Sequence, residues 1–168
     1  FEFPEDPGCR YLDQQYMLGA SLLAAPIFND QSIGEFYLPD GMWINMLDGE
    51  ILEGGRWYKR KYDYFHMPLF VRENSLIAIG ANDSLPDYDY ARDVTLRYYL
   101  PKEGISTGAD IPGLDGKTTL KASAERTGSS ITITLSDPSV GARAEIYLEN
   151  GNKIVSALTS ESTIIQIA

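Results

Sequence analysis

Ile33-Gly34-Glu35-Phe36-Tyr37-Leu38-Pro39-Asp40-Gly41-Met42-Trp43-Ile44-Asn45-Met46-Leu47-Asp48-Gly49 is the stretch that decides the fold. Residues 33–38 form a short strand-like run carrying Phe36 and Tyr37, and Pro39-Asp40-Gly41 is a turn in which glycine admits a positive φ. Residues 43–47 form a second run, and Asp48-Gly49 is another hairpin signal. Upstream, residues 21–28 are apolar, with Pro26 where a bulge tolerates it. Downstream of Gly54-Gly55 come residues 57–58, 64–71 and 76–79, closing at Gly80. Short strands spaced about 8–12 residues apart, with no helical period between them, predict an antiparallel sandwich or barrel.

Residues 80–90 turn polar and rich in turn formers, which places a boundary there. A second β set follows at 94–100, 118–124, 130–135, 144–148, 153–158 and 163–167. Ile131-Thr132-Ile133-Thr134-Leu135 and Ala144-Glu145-Ile146-Tyr147-Leu148 alternate as half-buried strands do. Gly104 to Gly116 reads as a long loop. One segment reads as a helix, residues 8–18: Asp6 is the N-cap, Pro7 the first helical position, Cys9, Leu12 and Tyr16 the apolar positions, and Gly19 the stop. Phe1-Glu2-Phe3-Pro4 before it reads as the tail of a strand.

With Lys plus Arg at 14 and Asp plus Glu at 24, the net charge is −10 and the pI about 4.5. A phosphate backbone would meet a repelling field, and the densest basic cluster is Lys59-Arg60-Lys61, so nucleic acid is not an expected partner. The same field disfavours an anionic membrane surface, and the apolar runs fall short of the ~20 residues of a membrane helix. A single cysteine, Cys9, forms no intrachain disulfide and fits a reducing, cytoplasmic setting. The start at Phe1, without a basic and apolar leader, reads as internal to a longer protein.

Carboxylates are the only catalytic chemistry in quantity. Glu5 and Asp6 at the strand-to-helix junction have the placement of a barrel acid, or of a loop acid and an N-cap. Asp83, Asp87, Asp89 and Asp93 resemble a calcium loop but lack the required glycine and glutamate, so a solvated linker is the plainer reading. Trp43, Trp57, Tyr58, Tyr62, Tyr64 and Phe65 can serve as a sugar-stacking platform or as core and packing residues. His66, the lone histidine, sits in an apolar run before Met67-Pro68 and reads as a hydrogen-bonded structural residue rather than a base. Gly54-Gly55 lacks the Lys-Ser/Thr of a phosphate-cradling loop. Residue chemistry alone therefore assigns no catalytic residue, no metal ligand set and no cofactor.

Phe3-Pro4-x-Asp6-Pro7, Asp13-Gln14-Gln15-Tyr16-Met17-Leu18-Gly19 and Leu22-Leu23-Ala24-Ala25-Pro26-Ile27-Phe28 occur in order. Tyr37-Leu38-Pro39-x-Gly41-x-Trp43, Gly49, Gly54-Gly55 and Pro68-Leu69-Phe70-Val71-Arg72-x-x-Ser75 follow. Together they resemble the end of the catalytic barrel and the proximal C-terminal β-sandwich of glycoside hydrolase family 31. Asn82-Asp83 and Pro86-Asp87-Tyr88 look closest to its α-xylosidase branch.

The resemblance implies a mainly β chain: residues 1–20 as the last strand and helix of a (β/α)8 barrel, 21–80 as a proximal sandwich and 81–168 as a distal β domain. It implies a parent enzyme that is a retaining hydrolase acting on terminal α-linked xylose or a related sugar of an oligosaccharide. One aspartate would attack the anomeric carbon while a second carboxyl acts as acid, then base. Both lie upstream in that family, so none of residues 1–168 is carried over as catalytic, and the expected role here is structural. Expected partners are the barrel of the same polypeptide and the parent's oligosaccharide, with self-association of the isolated chain through the apolar patch that the missing barrel leaves. A carbohydrate-binding β-sandwich module, motivated by Trp43 and Trp57, and a purely structural assembly domain are the competing readings.

Overall fold

The computed structural model describes residues 2–10 and 12–167. Two compact units follow one another, Phe1–Glu73 and Asn74–Ala168. In the first, β1 (Tyr16–Leu18), β2 (Leu22–Ala24), β7 (Leu69–Arg72), β4 (Met42–Asn45) and β5 (Ile51–Glu53) make an antiparallel five-stranded sheet in the order β1-β2-β7-β4-β5. β3 (Ile33–Leu38) pairs separately with β6 (Arg56–Lys61). Phe36 and Leu38 of β3 share a core with Leu23, Trp43, Leu52 and Phe70 of the larger sheet. Aromatic rings fill it, with Phe36 stacked on Tyr58 at 5.6 Å and tilted against Phe70 at 5.2 Å.

The turn read from Pro39-Asp40-Gly41 is held by two others. Gly54 and Gly55 donate to the carbonyls of Gly41 and Leu38, each at 2.7 Å. Gly54 lies so close to the Pro39 carbonyl that a side chain there would collide with backbone. The Gly54-Gly55 pair is thus a turn clamp, and its close approach is to the chain itself.

In the second unit, β10 (Thr107–Pro112), β11 (Thr118–Thr127), β12 (Ser130–Leu135) and β15 (Ser162–Gln166) form one antiparallel sheet. β14 (Lys153–Ala157), β13 (Arg143–Tyr147), β9 (Thr95–Tyr99) and β8 (Ser75–Ile79) form the other. Their inner faces meet in one mainly aliphatic core that includes Leu96, Leu120, Ile131, Ile133, Ala144 and Ile146 together with the buried ring of Tyr98. Alternation does this, since Ile131, Ile133 and Leu135 are buried while Thr132 and Thr134 face away. β9 and β13 run parallel, so this sheet is mixed where an antiparallel one was expected.

The helix expected over 8–18 is not formed. Asp6 caps one 3-10 turn, Pro7–Cys9, by accepting from the Gly8 amide at 2.8 Å. Residues 16–18 instead enter the sheet, and Gly19, at φ +65°, is the turn of the β1–β2 hairpin rather than a helix stop. Three apolar positions give a helix too little to bury, whereas pairing with β2 satisfies the same backbone groups. Of the expected strand at 1–4, Phe1 lies outside the described residues and 2–3 form no strand; the Phe3 ring packs at 6.3 Å from Trp43. The loop expected from Gly104 to Gly116 contains β10, an edge strand whose Gly108, Asp110 and Pro112 hide its pattern. Residues 75–79, whose run at 76–79 was read with the first set of strands, pair with β9, and the compact units meet at Glu73/Asn74.

Candidate functional site

The residues singled out in the sequence do not converge. Asp6, besides capping Gly8, accepts the Tyr37 hydroxyl with both carboxylate oxygens at 3.0 Å. Burial, then that bond, pushes the Tyr37 phenol up to about 12. Burial, then the charge of Asp6, raises the Cys9 thiol, so it is held protonated rather than activated. Trp43 is fully buried, and its indole N–H donates to the Pro39 carbonyl at 2.8 Å. The Tyr58 hydroxyl donates to the Glu53 carbonyl at 2.6 Å. The Tyr62 hydroxyl is buried, which pushes its phenol up to about 12.

His66 Nδ1 lies 2.6 Å from Asp63 Oδ1, an acid that also accepts the Phe65 amide. The bond to His66 draws the Asp63 carboxyl below its ordinary value. Beside this pair Tyr64 and Phe65 stand out in solvent, edge to face at 5.5 Å. In the acidic run, Asp83 accepts from the Ser84 hydroxyl, Asp89 from the Ala91 amide, and Asp93 lies 3.8 Å from Arg92. Among the described residues no three or more His, Cys, Asp or Glu side chains gather as a metal site would require. Among them, too, no helix is long and apolar enough to cross a membrane.

Two arrangements escaped sequence reasoning. In the second unit Glu145, only 8% exposed, meets Arg97 at 3.0 Å, Lys153 at 3.1 Å and the Tyr147 hydroxyl at 3.0 Å. Burial alone would raise its carboxyl, but the bonds from Lys153 and Tyr147 and the nearby charges hold it below its ordinary value. The Tyr147 ring stacks on Tyr99 at 4.7 Å. Clean alternation located β13 but gave no sign that its outward carboxylate would be buried.

In the first unit the two-residue period puts Tyr37 and Trp57 opposite each other on the outward face of the β3–β6 pair, next to the Glu35–Lys59 ion pair at 3.0 Å. Tyr37 is covered by the 3-10 turn, where Gly8 leaves room for its ring, whereas Trp57 is 55% exposed. Gln15 pins the adjoining segment: its carboxamide accepts from the Tyr37 amide and donates to the Tyr37 carbonyl, both at 2.7 Å. A cleft of about 320 Å³ results, lined by Leu12, Asp13, Gln14, Gln15, Glu35 and Trp57.

Two family descriptions fit the chain in sequence order. The glycosyl hydrolase family 31 C-terminal domain matches residues 1–77, and the C-terminal domain of α-xylosidase YicI matches residues 89–167. The chain belongs to glycosyl hydrolase family 31, as a C-terminal region of that family.

Among curated relatives, α-xylosidase XylQ of Lactiplantibacillus pentosus is 34% identical over 135 residues, 79% of this chain and 18% of the relative. An α-xylosidase of Emericella nidulans is 39% identical over 94 residues, 51% of this chain and 12% of the relative. The chain thus spans under a fifth of either relative's length. The fold recurs in the GH31 α-xylosidase of Xanthomonas citri, with a TM-score of 0.68 and 19% identity, covering 99% of this chain and 21% of that one. It recurs also in the GH31 dextranase of Flavobacterium johnsoniae, with a TM-score of 0.72 and 20% identity, covering 91% and 22%.

Proposed function

We propose that this chain is the C-terminal region of a retaining α-xylosidase, or of a closely related α-glycosidase, and that its own residues are structural. The unit Phe1–Glu73 would be the proximal C-terminal domain, its first residues leading out of a catalytic (β/α)8 barrel, and Asn74–Ala168 the distal domain. The observation that carries the reading is the ordered pair of matches, above all that the second unit matches a domain described for an α-xylosidase. The 135-residue alignment with XylQ, too long to lie within either unit alone, supports it.

The fate of the carboxylates agrees with a structural role. Asp6 caps a turn and Glu145 is enclosed by cations, so each has a partner that a catalytic acid would have to give up. In this reading the reaction is a double displacement by two aspartates of the parent, which needs a carboxylate separation of ~5–5.5 Å.

The test is to incubate the complete polypeptide with aryl α-xyloside and aryl α-glucoside, following the anomer released by proton NMR. The reading predicts faster release from the xyloside, with α-xylose as the first product. Preference for the glucoside narrows the reading to an α-glucosidase, and β-anomer as the first product overturns the retaining mechanism.

A further inference from the structure

We propose that the Trp57 cleft binds one neutral pyranose ring of an oligosaccharide. The site is built on rigid parts: Trp57 lies within β6, braced at 5.7 Å by the Tyr37 ring across the strand pair. Its facing wall is held by the two Gln15 bonds to the Tyr37 main chain, so the wall and the indole are fixed to the same strand pair before any ligand arrives. Preformed sites of this kind lose little conformational freedom on binding.

The lining matches a sugar on three counts. The exposed indole offers a flat apolar plane for the C–H face of a pyranose. Asp13 and Glu35 add carboxylate acceptors to the lining and Gln14 a carboxamide, the donors and acceptors that ring hydroxyls need. The volume, about 320 Å³, admits one ring with the start of a second. Charge selects further. Glu35 is paired with Lys59 at 3.0 Å, which leaves Asp13, on a chain of net charge −10, to repel uronic or sulfated sugars, so a neutral ring is the fit. Sequence reading placed Trp43 and Trp57 together as platform candidates; the fold separates them, burying Trp43 and leaving Trp57 to the ligand.

The choice of sugar over other small polar ligands rests on the function proposed above, whereas the site's existence rests on the cleft. The experiment is a titration of the 168-residue chain with isomaltotriose and with methyl α-xyloside, read by tryptophan fluorescence and by saturation-transfer NMR. Trp43 is enclosed, so a change in emission reports Trp57. Saturable binding is expected with a dissociation constant on the order of 1 mM, and saturation-transfer NMR, which does not need the Trp57 reporter, should show it weakened about tenfold or more by Trp57→Ala and partly retained by Trp57→Tyr. Unsaturated response, or binding unchanged in Trp57→Ala, overturns the proposal.

A second readout covers a variant that does not fold: affinity electrophoresis of the complete polypeptide in gels containing soluble dextran. Wild type should be retarded more than Trp57→Tyr, and equal mobility counts against the site. Hydrolysis is measured separately on the aryl glycosides, so loss of the α-xylosidase reading leaves the binding result standing, and the reverse.

Discussion

The two units solve the same problem with different side chains. The second buries mainly alternating Ile, Leu and Ala between two four-stranded sheets, with the Tyr98 ring as the one large aromatic among the fully buried members of that core. The first buries rings, Phe36, Trp43 and Phe70, against a two-stranded pair, and leaves Trp57, Tyr64 and Phe65 in solvent. Aliphatic alternation makes a unit that mainly holds itself together, whereas a short strand pair with rings on both faces has surface to offer. The contrast is one of packing, with aromatic rings dominating the first core and aliphatic side chains the second.

The largest expected effect breaks the aromatic core. Trp43→Ala removes a fully buried ring and strands the Pro39 carbonyl, and should cost about 4 kcal/mol in denaturant unfolding. Ile133→Ala in the aliphatic core should cost about 3 kcal/mol by the same measurement. A near-zero cost at either position would erase the distinction between the cores.

Glu145→Ala leaves Arg97 and Lys153 without their shared carboxylate, at about 2–3 kcal/mol near neutral pH. Because Glu145 titrates below its ordinary value of 4.5 in the folded chain, its contribution is complete above that pH. It is lost as pH falls through the lower folded value, so the deficit of the variant should shrink in stability curves taken from pH 6 down to pH 3. Asp6→Ala removes the cap of the 3-10 turn and the acceptor of Tyr37, at about 1 kcal/mol. Smallest is Trp57→Ala, about 0.5 kcal/mol in the same unfolding assay, since the ring is 55% exposed and packs on Tyr37 at the surface. A cost above about 2 kcal/mol there would make Trp57 a core residue and sharpen the comparison against an exposed platform.

Where side-chain period and turn chemistry agree, the fold was legible in the chain. The runs at 33–38 and 130–135 match β3 and β12 residue for residue, because each is bounded by turn formers. Failures came where local and long-range signals disagree. Asp6-Pro7 is a genuine cap, but of three residues, and a strand partner decides the fate of 16–18. β10 is concealed by Gly108 and Pro112, which only a neighbouring strand makes extended. Of the candidate cleft, Trp57 was visible as an exposed-aromatic candidate, while Asp13, Gln14 and Glu35 were not, since the Gln15 bridge that aligns them spans 22 positions. The Glu145 cluster was hidden for the same reason, with Arg97 48 positions away.

The central claim is that these residues brace an α-xylosidase without performing its chemistry. Its most direct test compares aryl α-xyloside hydrolysis by the complete polypeptide with that by the 168-residue chain, the fold of the latter checked by circular dichroism. The account predicts turnover by the complete polypeptide and only the buffer rate from the folded chain alone. Turnover by the folded chain alone, or none by the complete polypeptide on any α-xyloside, would contradict it.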